Sequence, residues 1–182
     1  MADQVSEGLL SPFLRNRRIA AAKPFLSGRV LDIGCGSGPL ASLVAHDKYV
    51  GVDIDAVSLG MAREKYPRHT FRQSAADTGQ FDTVVALAVI EHVANPVAFL
   101  NGLKTHLTPA ATIVCTTPHP SMDWIHWIGS RLGVFSRSAN DEHEDLLNRE
   151  ALRLAGAEAG LALRDYKRFL MGANQIAVFS LH

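Results

Sequence analysis

Residues 30–40, Val30-Leu31-Asp32-Ile33-Gly34-Cys35-Gly36-Ser37-Gly38-Pro39-Leu40, restrict the fold more than any other stretch of this 182-residue chain. Val30, Leu31 and Ile33 make a short apolar run of the kind found in a buried strand. Three glycines at alternate positions then turn the chain, and Leu40-Ala41-Ser42-Leu43-Val44-Ala45 reads as part of a helix over about 38–46. Glycine at such points permits positive φ and a close backbone approach. A second apolar run, Tyr49-Val50-Gly51-Val52, leads directly into Asp53, 19 residues beyond Gly34. A strand, a glycine turn, a helix and a second strand ending in an acid are the opening of a parallel, doubly wound α/β sheet.

The same residues limit what such a sheet can bind. A strand running through a glycine turn into a helix presents free backbone N–H groups to a ligand. Asp53, at the end of the neighbouring strand, can accept hydrogen bonds from ribose hydroxyls. Together they point to a cofactor that contains a nucleoside. The glycine spacing is G-x-G-x-G, with Pro39 where a dinucleotide fingerprint would carry its last glycine. No G-x-x-x-x-G-K-[ST] phosphate loop occurs in the chain. Asp32 points a carboxylate into the crevice, where it would repel a pyrophosphate and pair with an ammonium group. S-adenosylmethionine carries an ammonium and a sulfonium and no phosphate, so it fits better than NAD. A tight turn with no ligand is the bland alternative.

Val30-Leu31-Asp32-Ile33-Gly34-Cys35-Gly36-Ser37-Gly38 resembles the first motif of the class I S-adenosylmethionine-dependent methyltransferases. Gly51-Val52-Asp53-Ile54-Asp55 resembles their second, and Phe81-Asp82-Thr83-Val84-Val85-Ala86 with Ile90-Glu91-His92-Val93 resembles their fourth-strand motif. The likeness runs in order over roughly residues 28–117 and is closest to the small-molecule branch that includes ubiquinone-biosynthesis methyltransferases. It implies a Rossmann-like, doubly wound, mostly parallel seven-stranded sheet with a C-terminal antiparallel hairpin. It implies S-adenosylmethionine as cofactor and methyl transfer to a small-molecule acceptor, first at oxygen, with nitrogen as the alternative. An NAD-dependent oxidoreductase and a catalytically silent cofactor-binding module are the rival readings.

By the same resemblance, Asp32, Gly34, Cys35, Gly36 and Gly38 frame the methionine end of the cofactor and Asp53 takes the ribose hydroxyls. Ile54 lies against the adenine, and Leu87 lines the floor beside the sulfonium. Ala75 stands where the family often has an acid for the adenine amino group. Asp77, beyond Ala76, would replace it, or backbone groups would read the base alone.

Composition and pattern agree with one domain over residues 1–182. Hydrophobic residues make up 47% and charged residues 20%, the balance of a globular chain. Formal net charge is zero, so nothing calls for a nucleic acid or another polyanion. The basic cluster Arg15, Arg17 and Arg18 reads as a solvated helix face. Cys35 and Cys115 sit in apolar strand contexts, which argues against a disulfide framework. No run of 18 uncharged apolar residues and no signal peptide are seen, so the expected location is the cytoplasm, as a monomer or homodimer.

Residues 1–27 read as an N-terminal helical region, broken near Pro12 and ended near Pro24. Strands are expected at about 29–33, 48–52, 69–72, 82–87 and 111–117, with helices at about 56–66 and 95–107. Asn95-Pro96 is a good helix start, and Ser74–Gln80 is too short for a helix. A helix over 148–159, capped by Asn148 and ended by Gly160, precedes two runs, 161–170 and 174–181, joined as a hairpin.

Methyl transfer needs alignment above all, and a general base only where the acceptor must lose a proton. His92, His119 and His143 are the candidate bases. His143 lies in Asp141-Glu142-His143-Glu144-Asp145, whose carboxylates would raise its pKa. Residues 118–147 are the expected acceptor lid, with Trp124 and Trp127 as a pocket wall. Some relatives use Glu-x-x-Glu-His and a later His as metal ligands. Here Ala88 replaces the first carboxylate, leaving Glu91, His92 and His143 as an incomplete set, so no metal is expected.

Overall fold

The computed structural model describes residues 10–120 and 147–182. Its centre is a seven-stranded sheet: β1 (Val30–Ile33), β2 (Tyr49–Val52), β3 (Thr70–Arg72), β4 (Phe81–Leu87), β5 (Leu107–Pro118), β6 (Leu161–Phe169) and β7 (Asn174–Leu181). The strand order is β3-β2-β1-β4-β5-β7-β6. The first five pair in parallel, and β7 runs antiparallel to both β5 and β6. The Rossmann-like sheet with a C-terminal hairpin is therefore as expected, and β7 enters between β5 and β6. The order reverses between β1 and β4, the switch point at which such sheets open a crevice at their C-terminal ends.

Among the described residues, four α-helices accompany the sheet: α1 (Leu10–Ala22), α2 (Ala56–Lys65), α3 (Pro96–Lys104) and α4 (Arg149–Glu158). Leu31, Val84, Ile113 and Phe179 belong to a core shared with Leu100 of α3 and Leu152 of α4. Val30, Tyr49, Val85, Val114 and Ile176 belong to the other, with Ala22 of α1, Leu59 and Ala62 of α2 and the short turn at Leu40-Ala41. Side chains packed on both faces account for the nearly continuous apolar strands.

Each cap has a local cause. Asp55 accepts from the N–H groups of Val57 and Ser58, both at 3.1 Å, and so starts α2 directly after Asp53. Asn95 accepts from Ala98 N–H at 2.9 Å ahead of Pro96, and Asn148 from Ala151 N–H at 2.9 Å. Gly160, at φ 72°, carries the chain out of α4. Pro109 falls in the irregular stretch of β5 where the pairing with β4 shifts, a place where a missing N–H costs no ladder bond.

Two expectations fail. Residues 38–46 form no α-helix: Pro39–Leu43 and His46–Lys48 are separate 3-10 turns, and Val44 between them is extended. Fifteen residues carry the chain from the end of β1 back to the start of β2, the first five of them the glycine turn, and the steeper rise of a 3-10 turn covers the remaining path in fewer residues. Pro12 does not break the N-terminal helix. It sits in the first turn of α1, where backbone N–H groups have no intrahelical partner to lose.

Candidate functional site

The crevice at the C-terminal ends of β1, β2 and β4 is built around the turn at Gly34–Gly38. Gly34, Gly36 and Gly38 all have positive φ, at 70°, 52° and 71°. At Gly34 a Cβ would also meet Val89 Cγ2 at 2.5 Å, so the loop after β4 fits directly onto this turn. At Gly36 a Cβ would meet nothing within 4 Å, leaving the backbone there open to the crevice.

The turn's N–H groups do not form the open array expected from the sequence. Gly34 and Cys35 both donate to the Val52 carbonyl, at 2.8 and 3.1 Å, and Gly38 donates to the Cys35 carbonyl at 2.9 Å. Gly36 donates to Asp53 Oδ2 at 2.7 Å. With these donors engaged and no α-helix following, the turn lacks both features that let such loops cradle phosphate. What it offers instead is carboxylate.

Asp53 is that carboxylate on the β2 side. Its Oδ2 holds Gly36 and its Oδ1 accepts from Asp55 N–H at 2.9 Å, so the group is fixed in place over the turn. Each oxygen keeps a second lone pair for a ligand hydroxyl. Ile54, next along, is 90% exposed, a large apolar side chain left open beside the crevice. Leu87 is half-buried at the end of β4. Ala88 follows at φ 56°, a strained conformation for a residue with a Cβ, and its N–H donates to Thr116 O at 2.9 Å.

Asp32 is on the β1 side, but only 3% exposed. Tyr49 Oη donates to its Oδ2 at 2.7 Å. The register explains the contact: Asp32 pairs with Gly51, so Tyr49 lies on the same face two residues earlier. Because Gly51 has no side chain, the Tyr49 ring can lie across it to reach Asp32. A Cβ on Gly51 would sit 2.9 Å from Tyr49 Oη, 2.9 Å from Cys35 Sγ and 2.8 Å from Phe71 Cδ1. Burial drives the Asp32 pKa up to about 7, with Tyr49 opposing and the neighbouring Asp53 adding to the rise. Burial likewise pushes the Cys35 thiol and the Tyr49 phenol well above their usual values. Cys35 is thus a buried packing group, not a nucleophile.

The loop after β3 departs from expectation. Ala75, half-buried, and Ala76 lead into a turn in which Asp77 has φ 57° and Thr78 Oγ1 donates to Ala75 O at 2.6 Å. Asp77 lines a cavity of about 240 Å³ with Arg29, His46, Asp47 and Tyr49, residues from the N-terminal ends of β1 and β2. Val50, Thr70 and Arg72 line it too, and no described hydrogen bond joins Asp77 to the glycine turn or to Asp53.

Of the candidate bases, His92 is exposed on the short turn Ile90–His92 after β4. His119 follows β5, its N–H donating to Ala173 O at 2.9 Å. Burial, and then the charge of Arg168, lower its pKa below the ordinary imidazole value. His143, Trp124, Trp127 and most of the expected lid lie outside the described residues. No group of three or more His, Cys, Asp or Glu side chains able to hold a metal ion occurs among the described residues.

Arg15 and Arg18 correct the expectation of a solvated basic face. Leu14, Arg15, Arg18, Ile19 and Ala22 make the inward stripe of α1, and Arg18 Nε donates to Asn174 Oδ1 at 2.9 Å. The signal was present in the sequence: two arginines at i, i+3 with apolar residues at the flanking helical positions. Tyr49, Asn174 and Gln175 were also missed. Gln175 is fully buried; it donates to Pro118 O at 3.0 Å and to Leu147 O, and accepts from Tyr166 Oη at 2.8 Å.

Comparison with known proteins places these features in context. A family model described as a methyltransferase domain matches residues 5–166. A ubiquinone biosynthesis O-methyltransferase from Dinoroseobacter shibae is 38% identical over 112 residues, covering 56% of this chain and 45% of that protein. Its counterpart from Cereibacter sphaeroides is 34% identical over 128 residues, covering 63% and 50%. The chain therefore spans about half the length of the curated relatives it matches. Among solved structures, the magnesium protoporphyrin IX methyltransferase of Synechocystis PCC 6803, with SAH bound, superposes with a TM-score of 0.72 at 17% identity. That superposition covers 100% of this chain and 90% of that one, a likeness of fold.

Proposed function

The chain belongs to the methyltransferase-domain family, and from that premise we propose that it transfers a methyl group from S-adenosylmethionine to an oxygen of a small-molecule acceptor. The observation that carries the cofactor assignment is the pairing of two carboxylates, Asp32 and Asp53, with a glycine turn in which the N–H groups of Gly34, Cys35, Gly36 and Gly38 are engaged internally. Such a site suits a cofactor with a cationic amino-acid end and a ribose, and it does not suit a pyrophosphate. The oxygen assignment is supported by the names of the ubiquinone biosynthesis relatives.

The residues divide the work as follows. Asp32 would hold the ammonium, with Tyr49 fixing its carboxylate. Asp53 would take the ribose hydroxyls on its remaining lone pairs, and exposed Ile54 would cover the adenine. Leu87 and Ala88 would form the floor next to the reacting centre. Bound S-adenosylmethionine supplies a methyl already activated by its sulfonium, so the chain's task is alignment and exclusion of water. His92, His119 and His143 remain the side chains proposed to take the acceptor proton. We place this reaction in the cytoplasm, which accords with no described helix being long and apolar enough to cross a membrane. The test is to incubate the protein with methyl-labelled cofactor and a small-molecule extract. Transfer of label to a product at an oxygen supports the reading; protein that binds the cofactor product yet labels nothing contradicts it.

A further inference from the structure

Arg15 and Arg18 face inward from α1, and methyl transfer as described gives neither a role. Burying guanidinium groups is costly unless each meets an anion or a full set of acceptors. Arg18 is mostly buried, burial lowers its pKa, and its nearest opposing charge is Glu91. The described ion pairs, Arg153–Glu150 and Lys167–Asp165, do not include it, so the two charges attract across a gap without contact. Arg18 Nε is spent on the buried Asn174, which sets the orientation of the guanidinium, and its two terminal nitrogens have no hydrogen bond among the described residues.

Topology puts this group at the acceptor side of the crevice. Asn174 opens β7 opposite Pro118, the last residue of β5, and β5 ends on the same edge of the sheet as β1 and β4. Glu91 lies in the turn just beyond Leu87 and Ala88. Three polar atoms around this place are buried without a hydrogen-bond partner: Arg15 Nε, Glu91 Oε2 and Thr116 Oγ1. Thr116 is fully buried and shares its sheet face with Val114, the face that α1 covers. Such buried atoms call for a physical explanation, an ordered water or ion among them.

We propose that Arg18, with Arg15 beside it, is the recognition point for a carboxylate or similar oxyanion carried by the methyl acceptor, at a position other than the one methylated. This rests on the methyl-transfer reading above. A planar guanidinium with its terminal nitrogens open matches a carboxylate by two parallel hydrogen bonds. Two arginines against one glutamate leave the pocket net positive.

The test uses the full chain, methyl-labelled S-adenosylmethionine and a small-molecule extract, with labelled products separated on an anion exchanger at pH 8. The labelled product of the unaltered protein should be retained and released by salt. Arg18→Gln should lower its formation at least about tenfold, the effect of losing hydrogen bonds to a charged group, and Arg18→Lys should recover part of it. S-adenosylhomocysteine affinity and the melting temperature should not change in Arg18→Lys. An unretained, neutral product would overturn the proposal while leaving methyl transfer intact, as would full activity in Arg18→Gln. Failure to label any product would overturn the methyl-transfer reading itself.

Discussion

Replacing Asp32 with Asn tests how the buried carboxylate is used. In the free protein Asp32 titrates near pH 7, driven up from 3.8 by burial, with Tyr49 donating to Oδ2 and Asp53 close by. The flanking Tyr49 and Cys35 stay neutral at that pH because burial raises both. The sign follows from proton counting. Between pH 4 and 7 the folded chain keeps a proton on Asp32 that the unfolded chain has lost, so this group's contribution to stability falls as pH rises across that window. Three pH units correspond to about 4 kcal/mol at most.

A cofactor ammonium would favour the ionised carboxylate, so binding below pH 7 must expel that proton. S-adenosylhomocysteine affinity should therefore weaken by roughly 15-fold from pH 7.0 to 5.5, a range in which an α-ammonium stays charged. Isothermal calorimetry in two buffers of different ionisation enthalpy measures both the affinity and the proton released. In Asp32→Asn the profile should flatten and binding at pH 7.0 should be weaker. A flat profile in the unaltered protein, or the same slope in Asp32→Asn, would refute the argument that Asp32 meets the ammonium.

Gly51→Ala should destabilise the fold by about 1–3 kcal/mol, because its Cβ would press on Tyr49, Cys35 and Phe71 at under 3 Å. A lower urea midpoint is expected, and an unchanged midpoint would show that the face can yield. Activity should survive exhaustive chelation with EDTA, since Ala88 takes the place of a ligand carboxylate. Complete loss with rescue by a divalent ion would make Glu91, His92 and His143 ligands.

Much of the sheet was legible because the central strands β1, β2, β4 and β5 carry apolar runs, and because Asn95, Asn148 and Gly160 mark helix ends locally. The glycine turn and Asp53 were legible for the same reason: their relation is carried by spacing along the chain. What escaped depended on distance in sequence. The Tyr49–Asp32 bond needs the β1–β2 register, and the inward turn of Arg15 and Arg18 needs the ends of β5 and β7 beneath α1. Residues 38–46 failed as a helix because propensity ignores the short path back to β2, a tertiary demand.

The central claim is that the crevice between Asp32 and Asp53 receives a phosphate-free nucleoside cofactor. The most direct measurement is calorimetric titration of the protein with S-adenosylhomocysteine and, separately, with NADH at pH 7.5. Saturable one-to-one binding of S-adenosylhomocysteine, with no binding of NADH, is predicted. Tighter binding of NADH would contradict the account.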